Sequence, residues 1–226
     1  MIYTLTCKGI LFDMDGTLVD SNQASEMIWQ KWADHHHVSM DHIRAVHHGR
    51  RPEETIALVA PHLDQLEANK IYESQDVMLD GIRPIAGANA FYDSLPKGSY
   101  GIVTAASHSI LETRFRIVGL ALPKVCITAS MLKRGKPDPE GYLLGASRLG
   151  LNPKDCIVFE DAPAGLLAAK RAGMRSIAIT THYSKSELKK ELGADFEPVQ
   201  VISNYEGLSG DFSNYDTSSE YQLIFR

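Results

Sequence analysis

The sequence predicts an α/β fold in which a doubly wound parallel sheet carries a helical insertion. Five short apolar runs have the length and the β-branched content of buried strands: KGILF, YGIVT, KVCIT, CIVFE and SIAIT. From residue 87 onward these runs alternate with helical patterns, which is typical of parallel strands joined by crossover helices. Residues 22–82, between the first run and the second, have almost only helical periodicity, so we expect them to form an inserted helical segment.

The insertion begins and ends in turn-like segments, near residues 17–22 and 81–87. We therefore assign residues 1–19 and 85–226 to an α/β core domain. Residues 20–84 are assigned to a helical cap domain.

Helix boundaries in the second half of the chain are marked by particular residues. Asp138 and Pro139 predict the start of a helix that ends at Gly150. A second helix is predicted from Pro163 to Gly173 by the same kind of signals. The last segment, GDFSNYDTSSEYQLIFR, begins with turn residues and continues as a strand, so we expect a late edge strand or hairpin.

Charge and composition exclude several classes of partner. The chain has 226 residues, a formal net charge of −5 and a pI near 6.0, which gives no electrostatic reason to bind nucleic acid or anionic lipid. No apolar segment approaches the roughly 18 to 20 residues that span a bilayer, and no secretory signal pattern is evident. We expect a cytoplasmic monomer with reduced cysteines at Cys7, Cys126 and Cys156.

Polar residues follow four of the predicted strands. Asp13 ends the first run, Thr104 follows GIV, and Glu160 and Asp161 follow CIVF, while Lys136 comes after VCIT and a short loop. Ligands of open parallel sheets bind outside the carboxyl ends of the strands, so we expect these side chains to converge.

These residue types together favour phosphoryl transfer. Converging carboxylates stay ionised when a lysine or a divalent cation joins them, and hard oxygen ligands select Mg²⁺. A hydroxyl, backbone amides and a lysine can bind a phosphate dianion beside a carboxylate that attacks phosphorus. Asp15 follows Asp13 by two residues, and the turn at Gly16 lets its carboxylate reach the leaving group, where it can act as a general acid and base.

Four segments carry a resemblance to a known family. FDMDGTLVDS, IVTAAS, KRGKPDPEGY and VFEDAPAGLLAAKRAGM resemble the four motifs of the haloacid dehalogenase (HAD) superfamily, in the phosphatase branch with a helical cap after the first strand. Within it, the chain looks most like bacterial sugar phosphatases and yeast phosphatases of glycerol phosphate and deoxyglucose 6-phosphate. The resemblance implies a Rossmann-like core, a Mg²⁺ cofactor and small phosphorylated sugars or polyols as substrates.

The resemblance also implies roles for individual residues. Asp13 matches the nucleophile and Asp15 the general acid and base. Thr104 and the backbone amide of Ala105 match the phosphate-binding motif, and Lys136 matches the lysine that offsets negative charge. The implied metal ligands are Asp13, the carbonyl of Asp15, and Asp161, with Glu160 ligating directly, ligating through water, or only supporting the site.

The insertion is predicted to select the substrate. The segment VHHGRRPEETI is similar to the substrate-specificity loop of capped sugar phosphatases, and it supplies Gly49, Arg50 and Arg51 as candidate substrate contacts. The two arginines could instead pair with the following glutamates. His48, in this loop, and His108, just past the phosphate-binding loop, are further candidates for substrate contact.

Other functions remain open at this stage. A β-phosphoglucomutase shares the site and the cap, but its family has a histidine where this chain has Ser25 and a cap arginine where it has Pro52. A true dehalogenase lacks the paired aspartate and needs no metal, so Asp15 and Asp161 argue against it. A phosphonatase would use a cap lysine; the main candidates are Lys31 and Lys70, and neither lies in a recognisable motif. A phospho-aspartate signalling module lacks the long insertion and a carboxylate equivalent to Asp15.

Overall fold

A six-stranded parallel sheet forms the centre of the molecule. The structure is a computed structural model that describes residues 2–75, 79–212 and 220–225. The strands are β1 Tyr3–Cys7, β2 Gly9–Phe12, β3 Val19–Asp20, β4 Arg83–Pro84, β5 Tyr100–Val103, β6 Val125–Ile127, β7 Cys156–Glu160, β8 Arg175–Ile179, β9 Gln200–Ile202, β10 Leu208–Asp211 and β11 Tyr221–Phe225. The strand order of the central sheet is β6-β5-β2-β7-β8-β9, and every neighbouring pair is parallel. The five predicted runs correspond to β2, β5, β6, β7 and β8.

Helices cover both faces of this sheet, as the alternating pattern of strands and helices predicts. The helices are α1 Asn22–His36, α2 Met40–Arg44, α3 Pro52–Val59, α4 Gln65–Gln75, α5 Ala88–Ser94, α6 His108–Val118, α7 Glu140–Leu149, α8 Pro163–Arg171 and α9 Lys185–Leu192. The chain moves from β2 to β5 and β6 on one side and then returns to β7 on the other, so the order of the strands switches beside β2. Such a switch opens a crevice at the carboxyl ends of the strands.

Successive side chains of the central strands belong alternately to two hydrophobic clusters, one on each face of the sheet. Ile10 and Phe12 of β2, with Phe159 of β7, join the hydrophobic cluster that includes residues of α5 and α6. Leu11 and Val158, one position along each strand, join the cluster that includes residues of α7 and α8. Because successive side chains of a strand point to opposite faces, a strand covered on both faces is apolar throughout. This explains why the predicted strands are short continuous apolar runs.

The predicted helix boundaries agree with the structure. The carboxylate of Asp138 accepts a hydrogen bond of 3.0 Å from the backbone N–H of Glu140, at the start of α7. Gly150 ends α7 in the left-handed conformation, with φ of 73°. Pro163 begins α8, and Gly173 follows its end with φ of 71°.

A second, antiparallel sheet lies beside the first and was only partly predicted. β10 and β11 form the expected late hairpin, but β11 also pairs with β1, giving the order β1-β11-β10. The sequence analysis did not identify β1. Its burial alternates, with Leu5 and Cys7 inside and the neighbouring positions exposed, which is the pattern of a strand covered on one face.

The insertion has a hydrophobic cluster of its own. Helices α1 to α4 pack around buried residues that include Ile28, Trp29, Trp32 and Ile43, and the Trp32 indole donates a hydrogen bond of 3.0 Å to the carbonyl of Ala68. The chain leaves the core through β3 and returns through β4, and these two strands pair with each other. The domain boundaries at 19/20 and 84/85 stay a prediction, although this paired crossing coincides with them.

Cys7, Cys126 and Cys156 are free thiols, of which Cys126 is only half-buried. None of the helices in the described ranges is both long enough and apolar enough to cross a membrane.

Candidate active site

A buried lysine lies between two buried carboxylates at the carboxyl ends of β2 and β7. The Nζ atom of Lys136 lies 2.5 Å from Asp13 Oδ1 and 2.6 Å from Glu160 Oε1. Burial raises the pKa of Asp13 well above its usual value; the charge of Lys136 opposes this, while those of Glu160 and Asp161 add to it. Burial alone would lower the pKa of Lys136, but the charges of Asp13 and Glu160 raise it. The site thus has more negative charge than its lysine balances.

Glu160 is fully buried and accepts hydrogen bonds at both carboxylate oxygens. Besides Lys136, the hydroxyl of Tyr142 donates to Oε1 at 2.9 Å, and the backbone N–H groups of Asp161 and Ala162 both donate to Oε2 at 3.0 Å. A carboxylate offers about four lone-pair positions, and these four bonds use them. The geometry therefore favours the supporting role of Glu160 over direct metal ligation.

Asp161 is the second carboxylate at the end of β7, and the core holds both of its oxygens. The Thr17 hydroxyl donates to Oδ1 at 3.3 Å, and His182 Nδ1 lies 2.6 Å from Oδ2. Burial lowers the pKa of His182, but the hydrogen bond and charge of Asp161 outweigh it, so the pKa is raised overall. Oxygen atoms of Asp13, Glu160 and Asp161 lie within 4.8 Å of one another. Carboxylate oxygens of this kind are the type of ligand that Mg²⁺ prefers, and Asp13 and Asp161 are the two whose geometry leaves ligation open.

The phosphate-binding segment expected after β5 lies at the same end of the sheet. Thr104 is buried, and its Oγ1 accepts a hydrogen bond of 3.0 Å from the backbone N–H of Ala106. Thr104 and Ala105 line one cavity together with Asp13, Asp15 and Asp161. The structure thus brings these predicted core residues together.

Asp15 has two partners that the sequence analysis did not identify. The Ser21 hydroxyl donates to its Oδ1 at 2.6 Å, and Arg114 Nη1 lies 2.6 Å from its Oδ2. Arg114 belongs to α6 and is 8% exposed. The sequence feature that could have identified Arg114 is its position on the apolar face of the helix, between Leu111 and Phe115.

The insertion contributes His48, Gly49 and Arg50 to the wall of the same cavity, whose volume is about 90 Å³. The ring of His48 stacks on that of His182, a residue that the sequence analysis did not identify, with centroids 4.7 Å apart. Gly49 has φ of 73°, and a Cβ there would approach Ala162 to 2.9 Å. Because glycine has no side chain, it permits this close approach between the insertion and the core.

Two candidate substrate contacts lie outside this cavity. Arg51 pairs with Glu54 at 2.5 Å and donates a hydrogen bond of 3.3 Å to the carbonyl of Leu132. For Arg51, this agrees with the alternative expectation that it pairs with a following glutamate. The His108 side chain is 56% exposed and lies 3.4 Å from Glu112 on the same helix. The structure therefore gives no support to substrate contact by Arg51 or His108, because one is held by its own neighbours and the other faces solvent.

Taken together, the fold and the site define an α/β protein with buried carboxylates, a lysine and a threonine at a topological switch point. The family model of haloacid dehalogenase-like hydrolases matches residues 7–173. The chain belongs to this hydrolase family.

Two named phosphatases are similar to this chain in sequence. The chain is 40% identical over 189 residues to hexitol phosphatase A of Escherichia coli K12, covering 77% of this chain and 84% of the relative. It is 32% identical over 238 residues to glycerol-1-phosphate phosphohydrolase 2 of Saccharomyces cerevisiae, covering 98% and 92%. A solved hydrolase from Pseudomonas syringae superposes with a TM-score of 0.77 over 88% of this chain and 94% of that one; at 22% identity it supports the fold alone.

Proposed function

We propose that this chain is a Mg²⁺-dependent phosphatase that hydrolyses small phosphorylated sugars or polyols through an aspartyl phosphate. The observation that carries the proposal is the contact of Lys136 with Asp13, beside Asp161 and Thr104 at the switch point of the sheet. A nucleophilic carboxylate, a buried cation and a phosphate-binding hydroxyl are the groups that such a reaction requires.

The donor atoms suit a magnesium ion. Asp13, Asp161 and the backbone carbonyl of Asp15 would hold it. The charges of Glu160 and Asp161 add to burial in raising the pKa of Asp13, and a divalent cation would balance these charges. When bound, Mg²⁺ would neutralise phosphate charge and thereby ease attack by an anionic carboxylate.

The protein's own side chains account for the remaining steps. An oxygen of the Asp13 carboxylate attacks phosphorus, and the bond from phosphorus to the leaving alkoxide breaks while Asp15 gives that alkoxide a proton. In the second step Asp15 takes a proton from water, whose oxygen attacks phosphorus. The bond from phosphorus to Asp13 then breaks and inorganic phosphate is released. Lys136, Thr104 and the backbone amide of Ala105 orient the phosphate throughout.

The proposed substrate class rests on the relatives and on the character of the cavity. Both named relatives act on phosphorylated polyols, according to their names. Asn22, Ser25 and Tyr72 of the insertion line the cavity and offer an amide and two hydroxyl groups, which suit the hydroxyls of a polyol. Gly49, Arg50 and His48 are the proposed contacts from the specificity loop.

A sugar phosphomutase is the alternative, and the cavity gives it no additional support. Ser25 and Pro52, the two positions at which the chain departs from β-phosphoglucomutases, both line the cavity. Membership of a hydrolase family argues against the signalling module.

The decisive experiment measures phosphate released from a panel of sugar, polyol and nucleotide monophosphates, with Mg²⁺ and with EDTA. We expect release from polyol or sugar phosphates that requires Mg²⁺ and is lost in Asp13→Asn. Asp93→Asn, on the exposed face of α5, is the matched control. Absence of release from every phosphate would contradict the phosphatase, and conversion between hexose phosphate isomers would favour the mutase. Phosphate trapped on the Asp13 peptide of Asp15→Asn would support the intermediate.

A further inference from the structure

Arg114 is a charged side chain at a buried position of α6. The helix buries Leu111, Phe115 and Val118, and Arg114 lies on the same face of the helix as these residues. Removing a guanidinium from water is costly unless partners with good geometry compensate for the lost hydration. The position therefore indicates that the charge has a use beyond packing.

One partner of this charge is Asp15, the proposed general acid and base. Arg114 Nη1 lies 2.6 Å from Asp15 Oδ2, while the Ser21 hydroxyl binds Asp15 Oδ1 at the same distance. With one donor on each oxygen, the carboxylate loses a hydrogen bond if it rotates. Ser21 precedes the first helix of the insertion, whereas Arg114 belongs to the core, so Asp15 is held from both sides.

We propose that Arg114 is a positioning residue that fixes the carboxylate of Asp15 where it meets the leaving-group oxygen. This inference rests on the proposed function and adds a residue to it. Arg114 and Asp15 line the same cavity as Asp13 and Thr104, which fits a role at the reacting end of the substrate. Proton transfer needs donor and acceptor within about 2.6 to 3.2 Å, and a displacement of about 1 Å costs on the order of 100-fold in rate.

A comparison of leaving groups tests this role. An alkoxide leaving from a polyol phosphate needs a proton, whereas p-nitrophenolate leaves without one. We compare the first turnover of the best polyol phosphate from the panel with that of p-nitrophenyl phosphate, in Arg114→Gln and Arg114→Lys. Arg116→Gln, an exposed arginine on the same helix, is the matched control.

The expected result is a loss that depends on the leaving group. For Arg114→Gln we expect the first turnover of the polyol phosphate to slow by on the order of 100-fold and that of p-nitrophenyl phosphate by less than about 5-fold. Arg114→Lys retains the charge but not the planar fork, so a smaller loss with the same asymmetry is expected. Arg116→Gln should behave as wild type.

Several outcomes would overturn the inference. Equal losses for both substrates would mean a structural role only, and unchanged rates would mean no role. If Arg114→Gln does not fold, as a thermal melt would reveal, Arg114→Lys decides, and a lysine variant without the asymmetry rejects the proposal. Failure of wild-type enzyme on all phosphates would reject the proposed function itself, and the inference with it, which is distinguishable because it needs no Arg114 variant.

Discussion

His48 of the insertion stacks on His182 of the core, with ring centroids 4.7 Å apart and an angle of 24° between the planes. His182 in turn lies 2.6 Å from Asp161, a proposed metal ligand. A residue of the proposed substrate-specificity loop is therefore separated from the proposed metal site by one side chain. His182 therefore contributes both to the packing of the insertion against the core and to the orientation of Asp161.

Loss of His182 should weaken magnesium binding. Partners that orient a ligating carboxylate commonly account for 10- to 100-fold in metal affinity, so we expect His182→Ala to raise the Mg²⁺ concentration at half-maximal activity by about tenfold. His48→Ala should have a smaller effect in the same direction, because it removes only the stacked ring. The measurement is a Mg²⁺ titration of phosphate release, with His42→Ala, exposed on α2, as the control. An unchanged half-saturation point in His182→Ala would refute the orienting role.

The stability of the protein should fall in mild acid because of His47. Burial lowers the pKa of His47 to about 4, and the charges of His182 and Arg44 act in the same direction. Between the usual pKa of about 6.5 and this value the unfolded chain binds the proton that the folded chain rejects. His47 thus contributes stability that is present above about pH 6.5 and lost as the pH falls to about 4.

The expected size of this effect is about 2 kcal/mol between about pH 7 and about pH 4.5. Urea unfolding at the two pH values measures it. In His47→Gln this part of the pH dependence should disappear, whereas His62→Gln, at an exposed position, should retain it. Identical pH dependence in wild type and His47→Gln would show that the ring is not the group responsible.

The core of the site was predictable because of how parallel sheets are built. Asp13, Thr104 and Asp161 each follow a strand, and the carboxyl ends of parallel strands meet at one edge regardless of sequence separation. Arg114 and His182 are different. Their roles depend on which way a helix face turns and where a loop crosses the site, and these are set by tertiary packing that strand and helix patterns do not specify.

The same limit explains the missed strand β1. Its partner β11 lies at the other end of the chain, and pairing between distant segments leaves only a weak alternation of Leu5 and Cys7 in the local sequence. In contrast, β2 and β7 are covered on both faces and are apolar throughout, which makes each recognisable without knowledge of its partner.

Gly165→Ala should destabilise the protein through Glu160. A Cβ at residue 165 would overlap the Glu160 carboxylate, which is fully buried and bound to Lys136. Displacing one partner of a buried ion pair costs about 3 to 5 kcal/mol, although alanine is favoured over glycine within a helix by about 1 kcal/mol. We therefore expect a net loss of about 2 kcal/mol or more in the free energy of unfolding, measured by denaturant titration.

A second background isolates the cause of that loss. In Glu160→Ala the carboxylate is absent, so adding Gly165→Ala should cost less than about 1 kcal/mol further. An equal cost of Gly165→Ala in both backgrounds would mean that the glycine is needed for another reason, such as backbone packing at the start of α8.

Glu54 should protect the loop that precedes Lys136 from hydrogen exchange. Its Oε1 accepts a hydrogen bond of 2.8 Å from the backbone N–H of Gly135, while Arg51 pairs with the same carboxylate and reaches the carbonyl of Leu132. These contacts join the first turn of α3 to the loop before Lys136. Because hydrogen bonds to charged groups contribute about 1.5 to 3 kcal/mol, Glu54→Ala should increase hydrogen exchange at the Gly135 amide by at least about tenfold.

Two variants separate the hydrogen bond from the charge. Glu54→Gln retains an acceptor oxygen and should keep most of the protection, whereas Glu53→Ala, at the adjacent and more exposed glutamate, should leave it unchanged. Amide exchange followed by NMR gives the protection of Gly135, and phosphate release measured in parallel reports the effect on Lys136. If the Gly135 amide of Glu54→Ala exchanges at the wild-type rate, the contact between α3 and this loop does not persist in solution.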